Sequence, residues 1–340
     1  MARIVFPAEW FPQSGVQVTW PHAATDWHDM LEEVTACYVA FSKEILKREK
    51  LLVVAPPSFD VGQYFTEEER KNLICEVVES NDTWARDHGA ISIFYDERPT
   101  VIDFGFNAWG LKFGAHFDNQ ITGKLYHAGV FTPATAYRNR LNFILEGGSV
   151  ETDGRGTLLT TTSCLMAPNR NQPMSRDQIE SFLKSTLGVE RVLWLDHGYL
   201  AGDDTDNHID TLARFCDEET IAYVKCDDEN DEHFKELKAM EAELKSFVAY
   251  NGKPYHLIPL PMADAVFEKG RRLPATYANF LIINEAVLLP YYGTAKDEVA
   301  KKQLQEAFRD REIVGVDCRS LVRQHGSLHC VTMQFPQGFL

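Results

Sequence analysis

No uninterrupted apolar run of about 18 residues occurs in the chain, so no membrane-spanning helix is expected. No CxxC pair occurs either. The seven cysteines, Cys37, Cys75, Cys164, Cys216, Cys226, Cys318 and Cys330, are scattered and odd in number. That pattern argues against a disulfide framework and against a structural zinc site. Most of them should be small buried hydrophobes, and one could be a nucleophile, which spacing alone does not single out. Basic charge is scarce: 34 Lys and Arg stand against 50 Asp and Glu, a formal net charge of −16. Phosphate binding needs a basic face, so nucleic acid is an unsuitable partner. The segment Met1 to Trp10 lacks the apolar core of a secretory signal, which makes the cytoplasm the expected compartment.

What is present is ordinary for a globular protein, 44% hydrophobic and 25% charged. A chain of 340 residues can bury a large core. Length alone suggests roughly two domains, although α/β barrels and propellers of this size form one. The acidic surplus is the usual means of staying soluble; it would also steer a cationic substrate.

Strand-like and helix-like periods alternate along the chain. Val16 to Trp20, Leu51 to Ala55, Arg191 to Leu195, Thr220 to Lys225, Tyr255 to Leu260, Phe280 to Asn284, Ala286 to Leu289 and Ile313 to Val316 read as strands. Trp27 to Arg48, Ser175 to Leu187, Asp231 to Phe247 and Asp297 to Phe308 read as helices. Ser175 and Gln178 have capping-box spacing, and Gly188 supplies a stop. Asp153-Gly154-Arg155-Gly156 looks like a hairpin turn. The class is therefore α/β, with paired strands among the helices. No linker or low-complexity tract divides the chain, and no internal repeat is visible in the letters.

Four segments set reactive or charged groups beside turn formers. In Asn81-Asp82-Thr83-Trp84-Ala85-Arg86-Asp87-His88-Gly89, Trp84 and Asp87 can offer a cation an aromatic face and a carboxylate. Equally, Asp and Arg there could simply pair with loop backbone. Glu146 ends an apolar strand and is followed by Gly147 and Gly148, which let backbone approach a ligand closely, or mark a plain strand-to-turn transition. Gly202 to Asp210 carries Asp203, Asp204, Asp206, His208 and Asp210. It misses the EF-hand pattern for calcium, and His208 has no second His or Cys nearby for zinc. It suits an acid/base histidine among cation-binding carboxylates. It also suits a helix start in which Asp204 or Asp206 caps a helix running through Leu212. In His325-Gly326-Ser327-Leu328-His329-Cys330-Val331-Thr332, Cys330 could be a nucleophile or a small buried residue.

Together and in this order these segments resemble the agmatine deiminase family, part of the arginine-deiminase-like (pentein) group that includes the bacterial peptidyl-arginine deiminases. The resemblance covers nearly the whole chain. It begins at Pro7-Ala8-Glu9-Trp10 and Thr19-Trp20-Pro21, and continues through the Asp87 segment, Phe106-Asn107-Ala108-Trp109-Gly110 and Glu146-Gly147-Gly148-Ser149. Asp153 to Thr161, Pro168-Asn169-Arg170-Asn171, Asp206-Asn207-His208-Ile209-Asp210, Asn279-Phe280-Leu281-Ile282 and Leu328-His329-Cys330-Val331-Thr332 follow. It implies a single catalytic domain over residues 1–340, a five-bladed α/β propeller of ββαβ units around a central site. It also implies roles: Cys330 the nucleophile, His208 the general acid/base, Asp87 and Asp210 the grip on a guanidinium, and Glu146 a support for His208 and the substrate. Trp84 and Gly148 would line the substrate, and Asp204 and Asp206 would shape the site or meet the substrate's far amine.

The residue types suit that chemistry. A guanidinium is a planar cation that keeps its charge at neutral pH. Two carboxylates could fix its plane and present its carbon to a thiolate. The expected partner is a small cationic guanidine, most simply agmatine, hydrolysed to N-carbamoylputrescine and ammonia through an amidino-thioether, with no metal or organic cofactor required. Alternatives are a peptidyl-arginine or free-arginine deiminase, an amidinotransferase, or a non-catalytic guanidine binder. A homo-oligomer is open, since the long helices could pack between subunits. There are three departures from the family pattern. Asn207 stands where Gly usually precedes the histidine. Gln324-His325-Gly326-Ser327 replaces a glycine-rich stretch. Ala90 follows Gly89 where many members have Pro.

Overall fold

The structure, a computed structural model, describes residues 3–57 and 59–340. Five of its sheets share one plan: two antiparallel strands, a helix, then a third strand parallel to the second. One sheet holds Ile91–Tyr95, Arg98–Gly105 and Ala136–Ile144, with the helix Ile121–His127 ahead of the third strand. The next holds Val150–Thr152, Thr157–Thr161 and Arg191–Leu195 with the helix Arg176–Leu187. Then come Ala213–Phe215, Thr220–Lys225 and His256–Pro261 with Phe234–Ser246, and Leu281–Ile283, Ala286–Tyr291 and Glu312–Asp317 with Lys296–Ala307. The fifth sheet takes its first strand from the far end of the chain. Thr332–Pro336 pairs antiparallel with Gln13–Thr19, which lies parallel to Lys50–Ala55 across the helix Leu31–Leu46. A backbone ladder between the two ends of the chain thus closes a ring of five α/β units, the propeller that the resemblance implies. The repeat absent from the letters is present in the topology.

Local chemistry sets the elements. Lys50–Ala55 is a near-continuous buried apolar run, as a strand flanked on both sides by parallel neighbours requires. On Leu31–Leu46 the buried Val34, Tyr38, Phe41 and Ile45 recur at helical spacing and face the core. Burying each such side chain contributes about 1.5–3 kcal/mol. The helix Arg176–Leu187 begins on a complete capping box, Ser175 with Gln178, and ends on Gly188 in the left-handed region at φ 73°. In the Asp153–Gly156 turn the Asp153 carboxylate accepts from the Arg155 and Thr157 backbone N–H groups, both at 2.8 Å.

Three expectations change. The helix expected from Trp27 begins at Leu31, after a single 3-10 turn over His28–Met30. The helix expected from Asp231 begins at Phe234. No helix runs through Leu212, and neither Asp204 nor Asp206 caps one. Ile209–Thr211 is one 3-10 turn, and the two residues before His208, Asp206 and Asn207, are left-handed at φ 67° and 66°, which a helix cannot accommodate. Among the described residues no helix is long and apolar enough to cross a membrane.

Candidate active site

The five-unit plan explains where the chemistry gathers. Asp87, Glu146, Asp210, Asn279 and Cys330 each stand two to four residues ahead of the first strand of a different unit. The turns that carry them are laced together. The Gly148 N–H donates to Asp87 Oδ1 at 3.0 Å, the Arg86 N–H to the Cys330 carbonyl at 3.1 Å, and the His329 N–H to the Asn279 carbonyl at 3.2 Å. The Asn279 amide donates to Asp210 Oδ2 at 3.2 Å.

Cys330 Sγ lies 3.3 Å from Asn279 Oδ1 and 3.9 Å from Asp210 Oδ2. Burial, with Asp210 and Asp87 beside it, pushes the thiol well above its ordinary value. Asp87 Oδ2 accepts from the Trp109 indole at 2.9 Å, and burial raises this carboxyl to about 6 despite the neighbouring imidazole. His208 Nδ1 lies 3.6 Å from Asp87 Oδ1. Burial works against a charge on His208, yet Asp87, with Cys164 and Glu146 also close, raises the imidazole well above its ordinary value. Asp210 would be raised by burial too, but the His329 hydrogen bond and nearby cations hold it below the usual range. Gly148 is where these groups meet. A Cβ there would stand 2.6 Å from His208 Nδ1, 2.9 Å from Asp87 Oδ1 and 3.1 Å from Asp210 Oδ2.

Cys330 and Asp87 reach a cavity of about 430 Å³ walled by Trp84, Trp109 and Phe113. Further out the wall carries Asp26, Asp82, Asp203 and Asp204, and a short hairpin (Phe267–Glu268 with Arg271–Arg272) brings two arginines to it. Burial raises Asp82 to about 7 and Asp204 to about 6.

Of the residues singled out from the sequence, Cys330, His208, Asp87, Asp210, Glu146 and Gly148 come together, and Trp84 and Asp204 line the cavity. Asp206 does not; its carboxylate takes Arg170 at 2.6 Å and Lys112 at 3.0 Å. Glu146 makes no direct bond to His208 either. Both its oxygens accept from Arg170 Nε, at 3.0 and 3.2 Å, so its influence on the imidazole is through space. Glu146, Cys164 and His208 present ligand-type atoms within 4.8 Å of one another, as do Glu9, Glu151 and His329. Guanidinium groups already face both clusters, Arg170 the one and Arg214 the other, and oppose a further cation. Trp109, Arg170, Asn279 and His329 were given no role by sequence reasoning, although each lies in a stretch quoted for the resemblance. The available signal for Asn279 was its place just ahead of a strand, matching the other four units.

The family model for Porphyromonas-type peptidyl-arginine deiminase matches residues 5–336. The chain belongs to that family. This deiminase is 32% identical to the agmatine deiminase of Stutzerimonas stutzeri, over 98% of its own length and 96% of that protein's. Its structure superposes with a TM-score of 0.96 on a Porphyromonas gingivalis protein provisionally named an arginine deiminase, 56% identical over 99% of this chain and 100% of that one. It superposes at 0.93 on a C. jejuni agmatine deiminase variant, a cysteine replaced by serine and substrate bound, 39% identical over 100% and 98% of the two chains. It is accordingly a guanidine-group deiminase, a hydrolase of carbon–nitrogen bonds. The departures from the family's glycines now have a backbone meaning. Asn207 and His325 sit at φ 66° and 67°, the left-handed region where glycine is free of strain. Asn tolerates that region, and His325 is tied by Nδ1 to the Gly202 carbonyl at 2.7 Å. Gly326 is retained, and a Cβ there would run into the Trp84 ring at 2.1 Å.

Proposed function

We propose that the enzyme hydrolyses agmatine to N-carbamoylputrescine and ammonia, with Cys330 as nucleophile. The observation that carries this reading is a buried thiol 3.9 Å from one carboxylate, Asp210, in a cavity wall shared with a second, Asp87, beside a histidine biased toward its cation. A guanidinium gripped by Asp87 and Asp210 neutralises the two charges that keep the thiol protonated, so substrate binding itself favours the thiolate. Cys330 Sγ then bonds to the guanidinium carbon. His208 gives a proton to the departing nitrogen, the C–N bond breaks and ammonia leaves, with an amidino-thioether on Cys330. Neutral His208 next takes a proton from water, whose oxygen attacks the same carbon. The C–S bond breaks, the thiolate returns, the remaining hydroxyl proton passes to solvent, where it balances the ammonia released, and the ureido product leaves. Trp109 and the Gly148 N–H hold Asp87 in place, and Asn279 ties Asp210 to the cysteine.

The tail assignment rests on the outer wall. Asp82 and Asp204, raised to about 7 and about 6 by burial, would be drawn to their charged forms by an ammonium group. The indoles of Trp84 and Trp109 suit the aliphatic linker. One observation favours a second reading: Arg271 and Arg272 also line the cavity and would suit the carboxylate of free arginine.

The test is ammonia release from agmatine, free arginine and a blocked arginyl peptide in parallel, with Cys330→Ser as control. Turnover of agmatine alone, lost in the variant, supports the proposal. Turnover of arginine or the peptide instead keeps the mechanism and replaces the substrate; an active Cys330→Ser enzyme refutes the mechanism.

A further inference from the structure

His329 precedes the cysteine, is buried, and makes no contact with the cavity. Its ring nevertheless bridges two acids. Nδ1 lies 2.8 Å from Asp210 Oδ2, and Nε2 lies 2.7 Å from Glu9 Oε2. A neutral imidazole has one N–H and one lone pair. It could satisfy only one of these contacts, and would set its lone pair against a carboxylate lone pair in the other. Two contacts this short therefore need two protons in the chain Glu9–His329–Asp210.

The remaining partners say where the second proton sits. Glu9 Oε2 also accepts from Arg214 Nη2 at 2.9 Å, and Glu9 Oε1 from the Ile282 N–H at 2.7 Å. Asp210 Oδ2 accepts from the Asn279 amide at 3.2 Å. Both acids are thus used as acceptors, as carboxylates, and the imidazole is left as the donor on both sides. Burial, with the cations Arg214 and Arg86, draws the imidazole below its ordinary value, so the case for a charged ring rests on the two short contacts. A carboxylate against each nitrogen opposes burial and those cations.

We propose that His329, held by Glu9, is a doubly protonated positioning residue: its fixed positive charge keeps Asp210 ionised and aimed at the guanidinium from beneath the site. This rests on the guanidine reading of the site and adds a residue to it. Asp210 is fully buried and also faces His208, Asp87, Cys330 and Arg214. Without the His329 charge it would keep only His208 and Arg214 to offset burial and the neighbouring Asp87, and two carboxylates so placed favour uptake of a proton by one of them. Asp87, raised to about 6, would by itself give acid inactivation of the free enzyme as a one-proton step. With His329 neutralised, Asp210 joins it.

Two measurements test this. In the wild-type protein labelled with 15N-histidine, the NMR signals of His329, assigned by their loss in His329→Asn, should show a proton on each ring nitrogen at neutral pH. A single N–H overturns the proposal, and this readout does not depend on which guanidine is turned over, or whether any is. In His329→Asn the side-chain amide can still donate to Asp210 but carries no charge. The acid limb of kcat/KM should move up by about one pH unit or more and steepen from one proton toward two, with KM raised more than kcat. A uniform fall in activity with an unmoved acid limb would mean that His329 is only structural.

Discussion

Gly148 shows how little space the site has at the scale of single residues. Its N–H holds Asp87, and the place a methyl group would occupy is taken by His208, Asp87 and Asp210. Gly148→Ala should therefore cost roughly 100-fold or more in kcat/KM, since displacements near 1 Å at reacting groups have effects of that size. An unchanged circular dichroism spectrum would assign the loss to the site. Glu49 makes a different case. It is buried, one oxygen accepts from the Asn284 N–H at 2.9 Å, and the other has no partner among the described residues. Burial raises its carboxyl from an ordinary 4.5 to about 7. The folded state thus holds its proton more tightly than the unfolded one. Its contribution is greatest below pH 4.5 and is lost as the pH rises toward about 7. Glu49→Gln, which cannot ionise, should recover about 1–3 kcal/mol at pH 8 relative to pH 5. Urea unfolding of both proteins at the two pH values measures this, and an equal difference at both would remove Glu49 as the cause.

At the scale of elements, the division between outer helices and inner turns predicts that stability and catalysis can be separated. The capping box at Ser175 serves the helix Arg176–Leu187, while the turns of the candidate site lie ahead of the first strands. Ser175→Ala should lower unfolding free energy by about 1 kcal/mol and leave kcat/KM unchanged. A matching fall in kcat/KM would show that this helix communicates with the site. The strands and helices were readable from the letters because their signals are local: apolar alternation, a capping box, a glycine stop. The errors fell at the ends of helices and in the acidic loop, where Asp206 and Asn207 turn left-handed to set His208 in place. No periodicity encodes such a turn, and of the carboxylates read as possible caps Asp206 pairs with Arg170 and Lys112 while Asp204 lines the cavity.

At the scale of the whole molecule, the net charge of −16 surrounds a site built for a cation. If that field steers a doubly charged substrate, kcat/KM should fall by about tenfold between low and high salt. Meanwhile kcat should hold constant. A salt-independent kcat/KM would leave the charge as a matter of solubility alone. The ring itself depends on the strand that follows Cys330. Thr332–Pro336 closes the fifth sheet against Gln13–Thr19, so the pairing that completes the fold also seats Cys330.

The sequence by itself determined the kinds of chemistry available and their short-range setting. Cys330, His208, Asp87, Asp210 and Glu146 each stand in a contiguous motif beside a turn, and the order of those motifs was enough to recognise the family. Only the tertiary structure decided which of them touch and through what. His329 meets Glu9 across 320 positions, Asn279 meets Asp210 across 69, and Trp109 meets Asp87 across 22. Such contacts arise when the ring closes and five strand ends converge. Local propensity and periodicity act over a few residues and carry no record of that meeting, so the groups that orient and charge the site become visible only once the chain is folded.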